Sequence, residues 1–295
     1  MQVLMSGATG LLGSAIGQAL ETEGAVITRL IRGEAAGERQ IPWQPGRPLN
    51  LPMAFDAVIH LAGESIVGRW TPAKKARIRD SRVLGTQTLA DAIARMADKP
   101  RVMVAASAIG FYGDRGDELV NEDSAPGTGF LAETCREWEA ASAPVERAGV
   151  RVAHIRTGVV LSQHGGALGQ MLLPFRLGLG GRLGSGKQWM SWIHVDDIVG
   201  AVRHILANEA VQGPVNLTAP HPVTNAEFTK TLGKALTRPT IVPVPAFALR
   251  LALGEMANEA LLASERVQPL RLLSSGYQFR FRELGTALEN LIAKH

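Results

Sequence analysis

The chain has 295 residues, 46% hydrophobic and 20% charged, with a formal net charge of +4, ordinary globular composition that suits one large α/β domain or a domain with a smaller second lobe. The positive charge is scattered, which suits anionic small ligands and falls well short of a nucleic-acid footprint. Cys135 is the single cysteine, so an internal disulfide and a multi-cysteine metal site are excluded, no metal is expected, and a cytoplasmic setting is.

Residues 2–20 carry no charge, but no Lys or Arg precedes them and glycines at 7, 10, 13 and 17 interrupt them, so a signal sequence is not expected. No later run reaches the roughly 18 apolar residues of a membrane span, and no membrane partner is expected. Val3-Leu4-Met5 reads as a buried strand, Leu11 to Glu23 as a helix, and Ala25 to Leu30 and Ala57 to Leu61 as further strands. Residues 33–52, rich in Gly, Pro and Arg, read as an irregular connection. Thr71-Pro72 predicts an N-cap with Pro at the first helical position of a helix reaching about Met96. Val102 to Ala106 and Val152 to Ile155 are strands, with a helix around Trp138 between them. Short apolar strands alternating with long helices predict a parallel α/β sheet with right-handed crossovers.

Beyond about residue 160 the texture changes. Gly165 to Gly186 holds eight glycines, Pro239 to Pro245 holds three prolines, and Ala246 to Ala293 reads as mainly helical with aromatics at Tyr277, Phe279 and Phe281. The expected organisation is a dinucleotide-binding domain over 1–240, with 161–187 contributing to the substrate side, and a helical lobe over 241–295.

The strongest signal is Gly7-Ala8-Thr9-Gly10-Leu11-Leu12-Gly13, with G-x-x-G-x-x-G spacing directly after a strand and at the start of a helix. The first glycine permits the tight turn, the second lets backbone approach a pyrophosphate, and the third lets helix and strand pack closely. The diphosphate then lies on the positive end of the helix. An NAD-preferring site has an acidic residue about 20 residues further on, at the end of the second strand. Here that place reads Leu30-Ile31-Arg32-Gly33, and Arg32 is suited to pair with a 2′-phosphate. NADP(H) is therefore the expected cofactor.

The glycine loop, Asp56-Ala57-Val58-Ile59-His60-Leu61-Ala62-Gly63 and Trp192-Ile193-His194-Val195-Asp196-Asp197 together resemble extended short-chain dehydrogenases/reductases, the sugar-nucleotide epimerase class. Four further stretches narrow this: Leu61-Ala62-Gly63-Glu64, Arg156-Thr157-Gly158-Val159-Val160-Leu161, the run from Met171 to Gly186, and Leu273-Ser274-Ser275-Gly276-Tyr277. With them the chain resembles the atypical group called epimerase family proteins, some labelled SulA-like, which carry a C-terminal domain of unknown function. The resemblance implies a Rossmann-like, doubly wound parallel sheet with a cofactor across its carboxyl edge, on Gly7, Thr9, Gly10, Leu11, Leu12, Gly13, Ile31 and Arg32. It carries Leu61, Ala62, Gly63 and Glu64 to the adenosine ribose side, and Ser107 and Val160 to the nicotinamide side. Arg82, before Gly85-Thr86, stands where ordinary members have Asn and is a further candidate contact.

The chemistry of that superfamily needs Ser with Tyr and Lys in Y-x-x-x-K spacing. Ser107 keeps the serine position, but Leu131 and Cys135 stand where Tyr and Lys would be, and no Y-x-x-x-K exists in a chain with two tyrosines. Three readings stay open: Tyr112 as a relocated acid beside Ser107, Cys135 as a reactive thiol, or an NADPH-binding protein without the usual turnover. Two function classes follow, an NADP-dependent oxidoreductase or epimerase of a small anionic substrate, and an NADPH-responsive binding module. The Gly-rich segment 178–186, with Arg182 and Lys187, reads either as an anion-binding lid or as a flexible surface loop. His60 and His154 read as core histidines, and His194 as lying at a strand-to-helix junction capped by Asp196 or Asp197.

Overall fold

In the computed structural model, residues 1–35 and 37–293 are described. In chain order the first half comprises β1 (Gln2–Ser6), α1 (Leu11–Thr22), β2 (Val26–Ile31), β3 (Gln40–Pro42), β4 (Ala57–His60), α2 (Pro72–Ala94), β5 (Val102–Ala108), a 3₁₀ turn (Ile109–Tyr112), β6 (Leu119–Val120), α3 (Phe130–Ala140) and α4 (Ala143–Arg147). The second half comprises β7 (Arg151–Thr157), β8 (Val159–Leu161), α5 (Gly166–Arg176), β9 (Trp189–Met190), β10 (Trp192–His194), α6 (Val195–Ala207), β11 (Gly213–Leu217), β12 (Val223–Thr224), α7 (Asn225–Leu236), α8 (Ala246–Leu253), a π turn (Ala257–Leu261), β13 (Arg266–Val267), α9 (Leu270–Ser274) and α10 (Leu284–Ile292).

Seven strands form one sheet in the order β11-β7-β5-β4-β1-β2-β3, and every pairing in it is parallel. Parallel strands are covered on both faces, so each reads as a continuous apolar run: β4 is buried along its length and β1 at four of its five residues. One apolar layer joins Val3, Ile59 and Val104 to α1 and α6, and another joins Leu4, Val58 and Met103 to Leu89 and Ile93 of α2. The chain leaves β1 toward β2 and β3 and returns on its other side at β4, so the sheet changes direction between β1 and β4, the place where open α/β sheets bind ligands.

The connection at 33–52 holds one element that its composition hid. β3 pairs with β2 through Arg29–Gln40, Leu30–Ile41 and Ile31–Pro42. Three residues closed by a proline give no readable periodicity, and an edge is where a sheet tolerates proline. Thr71 caps α2 as expected, its hydroxyl accepting from the Lys74 N–H at 3.2 Å. The C-terminal region is helical around a short strand, β13, which pairs with β6. Its aromatics fasten the tail to α6: the Tyr277 hydroxyl donates to the Asp197 carbonyl at 3.0 Å, and Phe281 stacks on His194 with ring centroids 3.9 Å apart. The capping expectation at this junction is reversed. His194 is itself the N-cap, its Nδ1 accepting from the Asp196 N–H, while the Asp197 carboxylate accepts from the backbone of Arg280 and Phe281. No helix among the described residues is long and apolar enough to cross a membrane.

His60, on the central strand, is fully buried and shares a 2.6 Å hydrogen bond with Ser6 through Nδ1, while its Nε2 has no partner among the described residues. Burial depresses its pKa to about 4. A buried neutral histidine stabilises the fold above its unfolded pKa, and that contribution fades as pH falls from 6.5 toward 4, because the unfolded chain then binds the proton first. Between pH 7.5 and pH 5 this group should remove about 2 kcal/mol of stability. Urea unfolding of the wild type and His60→Gln at both pH values checks it: the variant should show the smaller acid loss, and equal losses would contradict the assignment.

Candidate functional site

The predicted site residues lie at the carboxyl ends of neighbouring strands. Gly7 follows β1, Ile31 ends β2 and Arg32 follows it, Leu61 to Glu64 follow β4, Ser107 is near the end of β5, and Val160 lies on β8. At the reversal point the Ser6 hydroxyl ties β1 to β4, bonded to His60 and accepting from the Leu61 and Ala62 N–H groups at 3.2 and 3.3 Å. That clamp fixes the spacing between the glycine turn and Leu61-Ala62.

Two of the three loop glycines have a reason inside the protein. Gly7 adopts φ +69°, and an added Cβ would stand 2.7 Å from the Leu61 carbonyl carbon. At Gly13 an added Cβ would overlap the Gly7 carbonyl oxygen, where the loop passes against α1. Gly10 differs. Its φ of −75° suits any residue, and an added Cβ would meet only the Gly7 carbonyl oxygen, at 3.3 Å. Packing therefore explains Gly7 and Gly13, while Gly10 faces open space above the start of α1. The N–H groups of Leu11, Leu12 and Gly13 in that first turn have no partner one turn back, Thr9 and Gly10 are exposed, and Leu11 and Leu12 are half-buried. A bare, positive helix end under an open glycine fits a diphosphate.

Arg32 is exposed at the end of β2, and its charge acts on Glu64 across the crevice. Glu64 is bonded to Lys74 at 2.8 Å and approached by Arg77 at 3.8 Å. The Lys74 hydrogen bond, with the charges of Lys74, Arg77 and Arg32, holds its carboxyl below the usual range. Three cations around one carboxylate leave an excess of positive charge beside Ile31 and Leu61. Arg82 lies beneath Gly63: its Nη1 donates to the Glu64 and Ile78 carbonyls at 2.9 and 3.0 Å, and its guanidinium stacks 5.0 Å from the Trp138 ring. Burial lowers its pKa from the ordinary guanidinium value, with Cys135 and Glu64 opposing.

Ser107 and Tyr112 come together, but inside a buried network. The Ser107 hydroxyl donates to Glu139 at 2.7 Å, Arg156 donates to the same carboxylate twice at 2.8 Å, and its Nη1 donates to the Tyr112 hydroxyl at 2.9 Å. Tyr112 in turn donates to Asn216 at 2.8 Å, and its side chain is fully enclosed. Burial raises the phenol's pKa, with Arg156 opposing. This arrangement does not favour Tyr112 as a relocated acid: its proton is directed at Asn216 and its side chain is enclosed. Ser107 is likewise committed, to Glu139. Cys135 is buried, and desolvation pushes its thiol up to about 12, so the reactive-thiol reading fails for the usual reason that a buried thiol resists ionisation.

The 178–186 segment is neither a lid nor a flexible loop. It is pinned by the Leu183–Val244 bridge, by Gly184 N–H to the Val244 carbonyl at 2.8 Å and by Leu183 N–H to Asn225 at 2.8 Å. Its glycines are packing positions: an added Cβ at Gly181 would overlap the Val242 carbonyl and one at Gly180 the Phe175 ring. Arg182 and Lys187 are exposed. The sequence reading also passed over Glu139 and Arg156 as functional groups, and over Glu259, whose carboxylate accepts from the Phe130 and Leu131 N–H groups at 3.0 and 2.7 Å and so caps α3 from the C-terminal region. No local pattern marks that cap, because donor and acceptor lie more than a hundred residues apart.

Comparison with known proteins agrees with this layout. Residues 3–217 match the NAD dependent epimerase/dehydratase family, and residues 244–291 match a domain of unknown function, DUF1731. An epimerase family protein of Mycobacterium tuberculosis is 43% identical over 290 residues, covering 97% of this chain and 96% of that one. The crystal structure of human epimerase family protein SDR39U1 (isoform 2) with NADPH superposes with a TM-score of 0.94 at 37% identity over all of both chains. A nucleoside-diphosphate sugar epimerase from Corynebacterium glutamicum gives 0.83 at 36% identity, covering all of this chain and 58% of that one. The match runs along the whole length, and the chain belongs to the NAD dependent epimerase/dehydratase family, among its epimerase family proteins.

Proposed function

We propose that the chain is an NADPH-dependent oxidoreductase of a small molecule, with the dinucleotide laid across the carboxyl edge of the sheet. The observation that carries this is Gly10, a loop glycine whose added Cβ would meet one carbonyl oxygen at 3.3 Å, against 2.7 Å or less at Gly7 and Gly13, set over the N–H groups that open α1. The human relative of 37% identity crystallised with NADPH supports the cofactor. Leu11 and Leu12 would receive the diphosphate on their N–H groups, and Arg32 the 2′-phosphate. Arg82 provides, from α2, a cation near Cys135, where the ordinary α3 has its lysine. NADPH, when bound, supplies hydride. The single unpaired thiol supports a cytoplasmic setting.

Arg32 gives the experiment. A charge-assisted hydrogen bond contributes about 1.5–3 kcal/mol, so NADPH should bind at least about tenfold more tightly than NADH, and Arg32→Ala should remove most of that difference. Fluorescence titration of both proteins with both dinucleotides measures it; equal affinities in the native protein would overturn the assignment.

A second reading, an NADPH-responsive interaction module, is favoured by α8. None of its residues is buried, and Phe247 and Leu251 are 71% and 75% exposed. Hydride transfer to any carbonyl compound, abolished by Gly10→Val, separates the two readings.

A further inference from the structure

The segment from the π turn to β13 runs alongside α3. Glu259 caps the start of that helix, and Val267 packs in one apolar cluster with Cys135, Ile109 and Tyr112. Side chains alternate along an extended segment, so Glu265, two residues before Val267, projects to that same side. Its backbone is fixed on β9 and the residue after it: the Glu265 N–H donates to the Trp189 carbonyl at 3.1 Å, and its carbonyl accepts from the Ser191 hydroxyl at 2.7 Å. The Glu265 Oε1 is closed off from solvent and has no hydrogen-bond partner among the described residues, while the residue as a whole stays partly accessible. Its charge acts on Cys135, whose thiol in turn meets the Ala108 main chain at the end of β5. The alternation and the Val267–Cys135 cluster thus place Glu265 on the α3 side, toward the position that carries lysine in ordinary relatives.

We propose that Glu265 is the general acid of this site, a carboxylic acid delivered from the C-terminal segment that protonates the substrate carbonyl oxygen in place of the tyrosine missing at Leu131. The proposal rests on the oxidoreductase reading above. Glu265 hands its proton to the carbonyl oxygen as the hydride supplied by NADPH reaches the carbonyl carbon. The C=O bond becomes C–H and O–H, NADPH is oxidised to NADP⁺, and the Glu265 carboxylate takes a proton back from water.

A donor of this kind must be neutral at working pH, and the surroundings enforce that. Burial, with the like charge of Asp114 on the loop after β5, pushes the Glu265 carboxyl up to about 8. Of the other elements packed against it, α3 presents the neutral Cys135 thiol, and β9 and the residue after it present Trp189 and Ser191. Among the described residues no ion pair or hydrogen bond from a cation holds the carboxylate form. A carboxylic acid kept neutral by an apolar site can donate where a phenol otherwise would. The same enclosure explains how Ser107 and Tyr112 can be spent on the Glu139–Arg156 network without leaving the crevice lacking a donor.

The test uses the two oxidation states of the cofactor. NADP⁺ and NADPH differ in the nicotinamide ring, which is positively charged only in NADP⁺. The protonated carboxyl band of Glu265, assigned by infrared difference against Glu265→Gln, is titrated in the wild type alone, with NADPH and with NADP⁺. An opposite charge within about 4–6 Å lowers a carboxyl pKa by about 1–3 units, so NADP⁺ should move the midpoint down by at least about one unit relative to NADPH. Glu265→Gln should bind NADPH within about threefold of wild type, since the carboxyl holds no phosphate. Equal midpoints with both dinucleotides bound would overturn the role of Glu265 while leaving the cofactor reading standing. Failure of either dinucleotide to quench protein fluorescence would overturn both.

Discussion

Gly10→Val should lose NADPH binding by at least about a hundredfold and keep its fold, whereas Gly13→Val should lose the fold itself. At position 10 the backbone conformation suits any residue and the added Cβ meets a single carbonyl oxygen at 3.3 Å, so a shift of a few tenths of an ångström in the Gly7 carbonyl accommodates the change. The branched side chain then occupies the approach to the helix terminus, where a diphosphate must come within hydrogen-bond distance of the Leu11 and Leu12 N–H groups. At position 13 the added carbon has nowhere to go, because the Gly7 carbonyl and the Ala8 Cα already stand there. Circular dichroism and NADPH titration on the two variants check both halves. A folded Gly10→Val protein that binds NADPH normally would contradict the functional reading of that glycine.

Glu139→Ala should destabilise the fold by about 3–5 kcal/mol, the range for removing one partner of a buried ion pair. Arg156 is 4% exposed and Glu139 13% exposed in their side chains, so the guanidinium left behind cannot recover its charge partner from water. Its remaining contacts are the Tyr112 hydroxyl and the Phe111 ring, whose centroid lies 3.4 Å away. Glu139→Gln, which keeps an acceptor for Ser107 and Arg156, should lose less. Urea denaturation midpoints measure both. A loss below about 1 kcal/mol for Glu139→Ala would mean that the network is not structural, and would reopen Ser107 and Tyr112 as reacting groups.

These two cases mark what the sequence could and could not carry. The glycine loop was legible because its constraint is local: a left-handed turn at Gly7 and a steric overlap at Gly13 are settled by residues within seven positions. Arg32 was legible for a similar reason, since the end of the second strand is found by counting. The burial of Tyr112 was not, because the groups that satisfy its hydroxyl, Arg156 and Asn216, arrive from β7 and β11, 44 and 104 residues away. Glycines at 180, 181 and 184 read as looseness although they serve close packing; spacing alone does not distinguish the two. Glu265 carries no motif. Its position depends on the C-terminal segment being laid along α3 by Glu259 and Val267, and only tertiary structure brings those groups together.

A crystal soaked with NADPH tests the central claim most directly. The diphosphate should sit within hydrogen-bond distance of the Leu11 and Leu12 N–H groups above Gly10, with the 2′-phosphate against Arg32 and the nicotinamide reaching the gap between Ala108 and Glu265. Density for the dinucleotide elsewhere, or a 2′-phosphate turned away from Arg32 into solvent, would contradict it.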